Sequence, residues 1–465
     1  MRPLDRSMRR LGALLLTVSG ITPAASVFVI GSAVIAQAGT GALVAFLAAA
    51  AICVPVALAY AELSSAFPVT GAEYTFLGRA LGPAWGFMAL GLNVVGGALS
   101  QAVTALGLAA YLSVAVPGLP TLPAALVAVG ISTVIAVLNV RTNALVTGLF
   151  LAAELLALAA VTSLGLWHEH RSVAQAIIHP VVATAAGRLS PTSLTAIGLG
   201  TAGAIFAYNG FGGAVSFGEE LKEARRSIAS VILVALVVAV ICEAIPMIAI
   251  IVGAPDLASI LAASSPTSAF ISAGGPWFSK AVSLGVALAI VNAMIALTLM
   301  NARYLYATAR DQAWPAALNR AFGATHPRFR SPHIATVVMG ALSAVACLLS
   351  LRLLVVLTAT GIVFIYIGVI VAALLGRRTG STAQGAYKAP WHPWALVAGL
   401  VALAGVVVAD IADPEVGRLG LAANVAVSVA FAGYYWLFVR RRGVWRLTGA
   451  EGPLTSSPPE QGAVP

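Results

Sequence analysis

Apolar runs of 18 or more residues recur along this chain from about residue 11 to about residue 439. A run of that length spans hydrocarbon as an α-helix, because a helix satisfies every backbone N–H and C=O within itself. Composition removes the alternative of a buried soluble core. Charged residues make up 9% of the 465 residues and the mean hydropathy is +0.96, whereas a soluble chain carries about a quarter charged residues. The runs do not alternate apolar and polar positions as the strands of a transmembrane barrel do. The chain therefore reads as an all-α polytopic membrane protein.

Charges, Gly and Pro bound twelve predicted transmembrane helices, near 11–36, 40–66, 83–114, 121–140, 143–166, 194–218, 227–252, 278–308, 333–351, 353–376, 394–411 and 419–439. The connections are short except for 167–193 and 253–277. The stretch from Gly443, with its "SSPPEQG", is expected to be disordered. Lys and Arg set the orientation. One set of loops and ends holds 20 basic residues, among them Arg2, Arg6, Arg9, Arg10, Arg79, Arg141, Lys222, Arg225, Arg226, Arg328, Arg330, Arg377, Arg378 and Arg440 to Arg442. The opposite set holds 5: Arg171, Arg188, Lys280, Arg352 and Arg418. This bias predicts a plasma-membrane protein with both termini in the cytoplasm. The net charge of +10 is thus topological and implies no nucleic-acid partner. Cys53, Cys242 and Cys347 lie within apolar runs without metal-ligand spacing. The basic start leads into a span too long for the apolar core of a cleavable signal peptide.

Two spans are interrupted. "GITPAASVF", Gly20 to Phe28, breaks the first, and "IFAYNGFGGAVSFGEE", Ile205 to Glu220, breaks the sixth. A helix break in hydrocarbon persists where it is buried or lines a cavity. Either break alone is equally well a kink at Pro23 or close packing through glycines. Two breaks five spans apart instead fit a five-plus-five inverted repeat, whose half-helix ends meet at a ligand site. The repeats would cover about 11–166 and 194–376, with two extra helices in 394–439. The membrane domain would then be 1–440 and the cytoplasmic tail 441–465.

At this point the chain resembles the amino acid–polyamine–organocation superfamily of permeases. The resemblance rests on "SGITPAASVF", on "AYAELSSAFPVTGAEYTFLGRALG" with its Tyr-x-Glu-Leu and Pro-x-x-Gly, on "FAYNGFGGAVSFGEELKEARRSI", and on "ARYLYATARDQAWPAALNRAFGATHPRFRSP", in that order. It implies carriage of amino acids or amines, by proton or sodium coupling or by exchange. By position, it implies that Thr22, Pro23, Ala24, Ala25 and Ser26 offer backbone amides to a carboxylate. Phe206, Ala207, Tyr208, Asn209 and Gly210 would hold the amino group through carbonyls and cover it with an aromatic ring. Asn93 falls where some members contact the substrate side chain. Many members have Gly-Ser-Gly where this chain has Ala24-Ala25-Ser26, and an acidic residue where this chain has Gly212.

Ionisable residues inside spans are functional candidates by default. Glu154, in "LFLAAELLALAA", is the leading one: it would carry a proton, hold sodium, or pair with the substrate amine. Glu243 reads as a brace beside Pro246, and Glu62 as half of an ion pair with a loop arginine. Asn292, Thr358, Thr360 and Gly361 are weaker cavity candidates. His168 and His170 stand in a loop without further ligands, so no metal is implied.

The function expected is secondary active transport of an amino acid or related amine, proton-coupled by alternating access, with exchange as the alternative and no cofactor. A membrane-embedded enzyme would need a concentrated catalytic set, a channel a filter motif, and a primary pump a nucleotide-binding loop. None of these stands out in the sequence.

Overall fold

The computed structural model describes residues 9–69, 71–138, 144–184, 188–218, 221–329, 331–447 and 454–455. Arg2, Arg6, Arg141, Glu220, Arg330 and the tail residues 448–453 and 456–465 lie outside the described residues.

The first apolar stretch, Arg10–Ala66, is a string of helices. It contains α1 (Arg10–Ile21), α2 (Pro23–Ala25), a π-helical turn (Ser26–Gly31), α3 (Ser32–Ala38), a 3-10 turn (Gly39–Gly41) and α4 (Ala42–Ala66). Then come α5 (Ala72–Ala80), α6 (Pro83–Ala115), α7 (Thr121–Val137), α8 (Ala144–Trp167) and α9 (Val173–Ile178). A small hairpin, β1 (Val181–Ala183) with β2 (Leu189–Pro191), precedes α10 (Leu194–Tyr208) and a second 3-10 segment, Phe211–Phe217. The chain continues through α11 (Ala224–Gly253), α12 (Leu257–Ala262), α13 (Pro266–Ala273), α14 (Pro276–Arg310) and α15 (Ala316–Phe322). Next come α16 (His333–Ala346), α17 (Leu351–Thr379), α18 (Trp394–Ala412) and α19 (Gly417–Tyr434), then a π-helical turn (Tyr435–Val439), a single helical turn (Arg440–Arg442) and a short strand pair, Arg446–Leu447 with Leu454–Thr455.

Among the described residues, nine stretches are long and apolar enough to cross a membrane, and α7 and α16 are shorter apolar helices. The first of the nine holds the first two predicted spans, which turn back at Gly39–Gly41. Helix starts follow local chemistry. Pro opens α6, α13 and α14, where a missing N–H removes no helical bond. Ser193 and Ser350 cap α10 and α17 by accepting from Ala196 N and Leu353 N.

The interior forms where α4 packs on α10 and α11, α6 on α14 and α17, and α8 on α11 and α14. Helices α18 and α19 lie against its side, on α4 and α10 and on α6 and α17 respectively. Outward faces stay apolar: Leu156, Val237, Leu284, Val401 and Val429 are exposed. Trp167, Trp277 and Trp394 project near helix ends, where the bilayer interface favours indole. This is a multi-pass membrane protein whose solvent is lipid.

The long connections are structured. Thr40 Oγ1 accepts from Val181 N at 2.9 Å and Thr192 Oγ1 donates to Ala38 O at 3.0 Å, which pins the hairpin to the first turn-back. The tail expected to be disordered from Gly443 stays packed as far as Leu447. Trp445 and Leu447 are buried with Tyr74 and Phe87, and Trp445 Nε1 donates to the Tyr74 hydroxyl. Two large apolar side chains just beyond the basic run outweigh its polarity.

Glu62 has the ion-pair partner its position called for. Arg377 Nε and Nη2 donate to its two carboxylate oxygens at 2.7 and 2.8 Å, and Ala389 N donates at 2.9 Å. Glu62 is wholly buried and Arg377 largely so. Removing one partner of such a pair strands the other charge, at about 3–5 kcal/mol. Arg377→Ala is therefore expected to lose stability on that scale, seen as a lower unfolding midpoint in detergent. Arg377→Lys keeps the charge but not the fork and should fall between.

Candidate functional site

The two interrupted segments meet. Thr22 adopts the left-handed conformation (φ 56°, ψ 64°) and ends α1, after which Pro23 restarts the helix. In the second segment Asn209 is extended (φ −63°, ψ 142°) and Gly210 has φ 126°, a region that side chains avoid. A Cβ at Gly210 would come within 3.1 Å of the Ile21 Cα, so glycine permits the two breaks to touch. Ser26 Oγ donates to Ala207 O at 2.8 Å and fastens one break to the other. The Tyr366 hydroxyl donates to Asn209 Oδ1 at 2.9 Å and holds the second break from α17.

A cavity of about 200 Å³ opens at this junction. Of the residues expected at a ligand, Thr22, Ala25, Ser26, Asn93, Phe206, Asn209 and Gly210 line it. Pro23, Ala24, Ala207 and Tyr208 are not among its lining residues. The Tyr208 ring instead packs edge-on against Phe46 at 5.5 Å. The amides of the first break also differ from expectation. Thr22 N bonds Val18 O, Ser26 N bonds Thr22 O, and Ala24 N bonds Glu154; Pro23 carries no N–H. Of those five positions, Ala25 combines a cavity-lining place with an amide not engaged in one of these three bonds.

Glu154 sits behind the first break and not in the cavity. Its Oε1 accepts the Ala24 N–H at 2.7 Å, and the residue is 1% exposed. The geometry ties this acid to the conformation of the break and keeps it from the cavity wall, where a substrate amine would be. Glu243, in α11, is wholly buried and lies close to Ser26 and Glu154. Asn292 donates to Ser19 Oγ at 3.4 Å within the helix packing, and Thr360 donates to Asp410 at 3.0 Å; neither lines the cavity. Thr358 and Gly361 do line it.

Sequence reasoning missed part of the wall: Tyr60, Glu73, Asn301, Tyr304 and Tyr366. Four sit on helices whose facing side cannot be read from runs that are apolar all round. Glu73 was visible as an acid in "VTGAEYTF" but falls between spans, on α5, which folds back against α6 and α17.

The sequence profile of the amino acid permease family matches residues 9–432. An uncharacterised transporter of Mycobacterium tuberculosis strain H37Rv is 29% identical over 450 residues, covering 94% of this chain and 93% of that one. The branched-chain amino acid permease of Bacillus subtilis is 27% identical over 421 residues, 86% of this chain and 87% of its own. The methylthioribose transporter of the same organism is 24% identical over 404 residues, 83% and 85% of the two chains. With the profile spanning residues 9–432 and these relatives matched over 83% to 94% of this chain, the chain belongs to the amino acid permease family, a family of transporters and not of enzymes.

Proposed function

We propose that the chain carries an amino acid or a related amine across the plasma membrane as a secondary active transporter, coupled to protons. The observation that supports this most strongly is the apposition of the two helix breaks around one cavity, fastened by Ser26 and Ala207. Broken helices meeting at a cavity are the binding-site geometry of inverted-repeat transporters. We take the fold as twelve crossings in a five-plus-five inverted repeat, with α18 and α19 outside it and both termini cytoplasmic. The packing of α4 on α11 and of α6 on α14, helix pairs drawn from the two halves, supports that division. The relative named for branched-chain amino acids supports the substrate class, and the one named for methylthioribose indicates that membership alone does not fix the substrate.

Glu154 is the proposed proton site. A carboxylate bonded to the break amide changes that bond when it takes a proton, which couples protonation to the shape of the first break. The test is uptake of labelled amino acids and amines into proteoliposomes, under an imposed pH gradient, a sodium gradient, or preloaded unlabelled substrate. Accumulation driven by the pH gradient is expected. Accumulation requiring sodium or preloaded substrate would replace proton coupling by sodium coupling or exchange, and no uptake of any member would overturn the reading.

A further inference from the structure

Among the described residues lining the cavity, Glu73 is the one acid, and no Lys or Arg shares the wall with it. It is held in a built setting. The Tyr60 hydroxyl donates to Glu73 Oε1 at 2.6 Å. The Tyr60 ring is fixed in turn by edge contacts with Phe76, Phe211 and Tyr366, at centroid distances of 6.2, 5.8 and 5.9 Å. Gly212 lies flush on that ring, since a Cβ there would be 2.8 Å from it. Asn93 and Tyr304 adjoin the carboxylate from α6 and α14. Arg79, the basic residue of α5, stacks over Phe67 at 5.5 Å and does not line the cavity.

A largely desolvated acid facing a cavity without a counter-charge in its wall is poorly stabilised when ionised. A carboxylate accepts about four hydrogen bonds; Tyr60 supplies one, and Asn93 and the residue's own backbone N–H also lie against it. A protonated amine entering the cavity supplies both the missing charge and further donors. We propose that Glu73 is the specificity-determining residue of the cavity and binds a second cationic group of the substrate, apart from the α-ammonium that every amino acid carries, which selects basic amino acids and diamines over neutral apolar amino acids. This rests on the transport reading above and narrows its substrate class.

The test is competition against a labelled amino acid taken up by the wild-type protein in proteoliposomes, with L-lysine, L-ornithine and putrescine set against L-leucine and L-isoleucine. The cationic compounds should compete best in the wild type. Glu73→Gln should weaken them by about 30-fold while leaving the neutral ones within about twofold. Glu73→Asp, which keeps the charge on a shorter stem, should restore part of the cationic preference. Better competition by the neutral compounds in the wild type overturns the proposal without needing any variant to fold. So does an unchanged cationic preference in Glu73→Gln. Those outcomes leave the transporter reading intact; only failure of the whole panel to be taken up removes both.

Discussion

Ala25→Leu should weaken substrate binding by about two orders of magnitude while the protein still inserts and folds. Ala25 lines the cavity at the first break and is 2% exposed, so its methyl group already touches its surroundings. Leu adds three carbons at the place where the two breaks approach. Overpacking a tight site costs about 1–3 kcal/mol, and here the space taken is the substrate's. Binding should therefore weaken by about 100-fold. Leu is well tolerated in hydrocarbon, so expression and monodispersity in detergent should stay near wild type. Binding is read by ligand-induced thermal stabilisation, which a protein unable to bind does not show. Undiminished stabilisation of a well-expressed Ala25→Leu variant would move the substrate away from the break.

Glu154→Gln should remove accumulation driven by a pH gradient and spare exchange. The Gln side chain offers the Ala24 N–H a neutral oxygen, as a protonated Glu154 would, so the break is held in the form that goes with the protonated acid. What it loses is the ability to release a proton. A carrier locked in its protonated form can still return with substrate bound, which is all that exchange requires. Both activities are measured in the same proteoliposomes. Loss of both would assign Glu154 to substrate binding or folding, and retention of pH-driven accumulation would exclude it as the proton site.

The legible part of this molecule was the part written in long apolar runs and in residues that break them. Membrane helices announce themselves because lipid tolerates little else, and Pro23 and Gly210 announce the breaks because each is chosen for backbone geometry. The individual contacts were less legible. Positional resemblance assigned amides at Thr22, Ala24 and Ser26 to a ligand, yet all three are hydrogen-bonded within the protein. Which amide is engaged depends on partners such as Glu154, 130 residues away. Tyr208 and Phe206 are two positions apart on one helix, but the first faces Phe46 and the second the cavity. On a helix that is apolar on every side, no periodicity tells these faces apart. Glu73 escaped because it stands outside the spans in sequence while lining the cavity in space.

The claim that the paired breaks form the substrate site is tested most directly by placing a thiol there. Cys53, Cys242 and Cys347 do not line the cavity, so the parent protein supplies the background for an Ala25→Cys variant. A small methanethiosulfonate reagent should label Ala25→Cys and stop uptake, and saturating substrate from the uptake panel should slow that labelling at least about tenfold. Labelling that proceeds at the same rate with and without substrate, or that leaves uptake unchanged, would contradict the site.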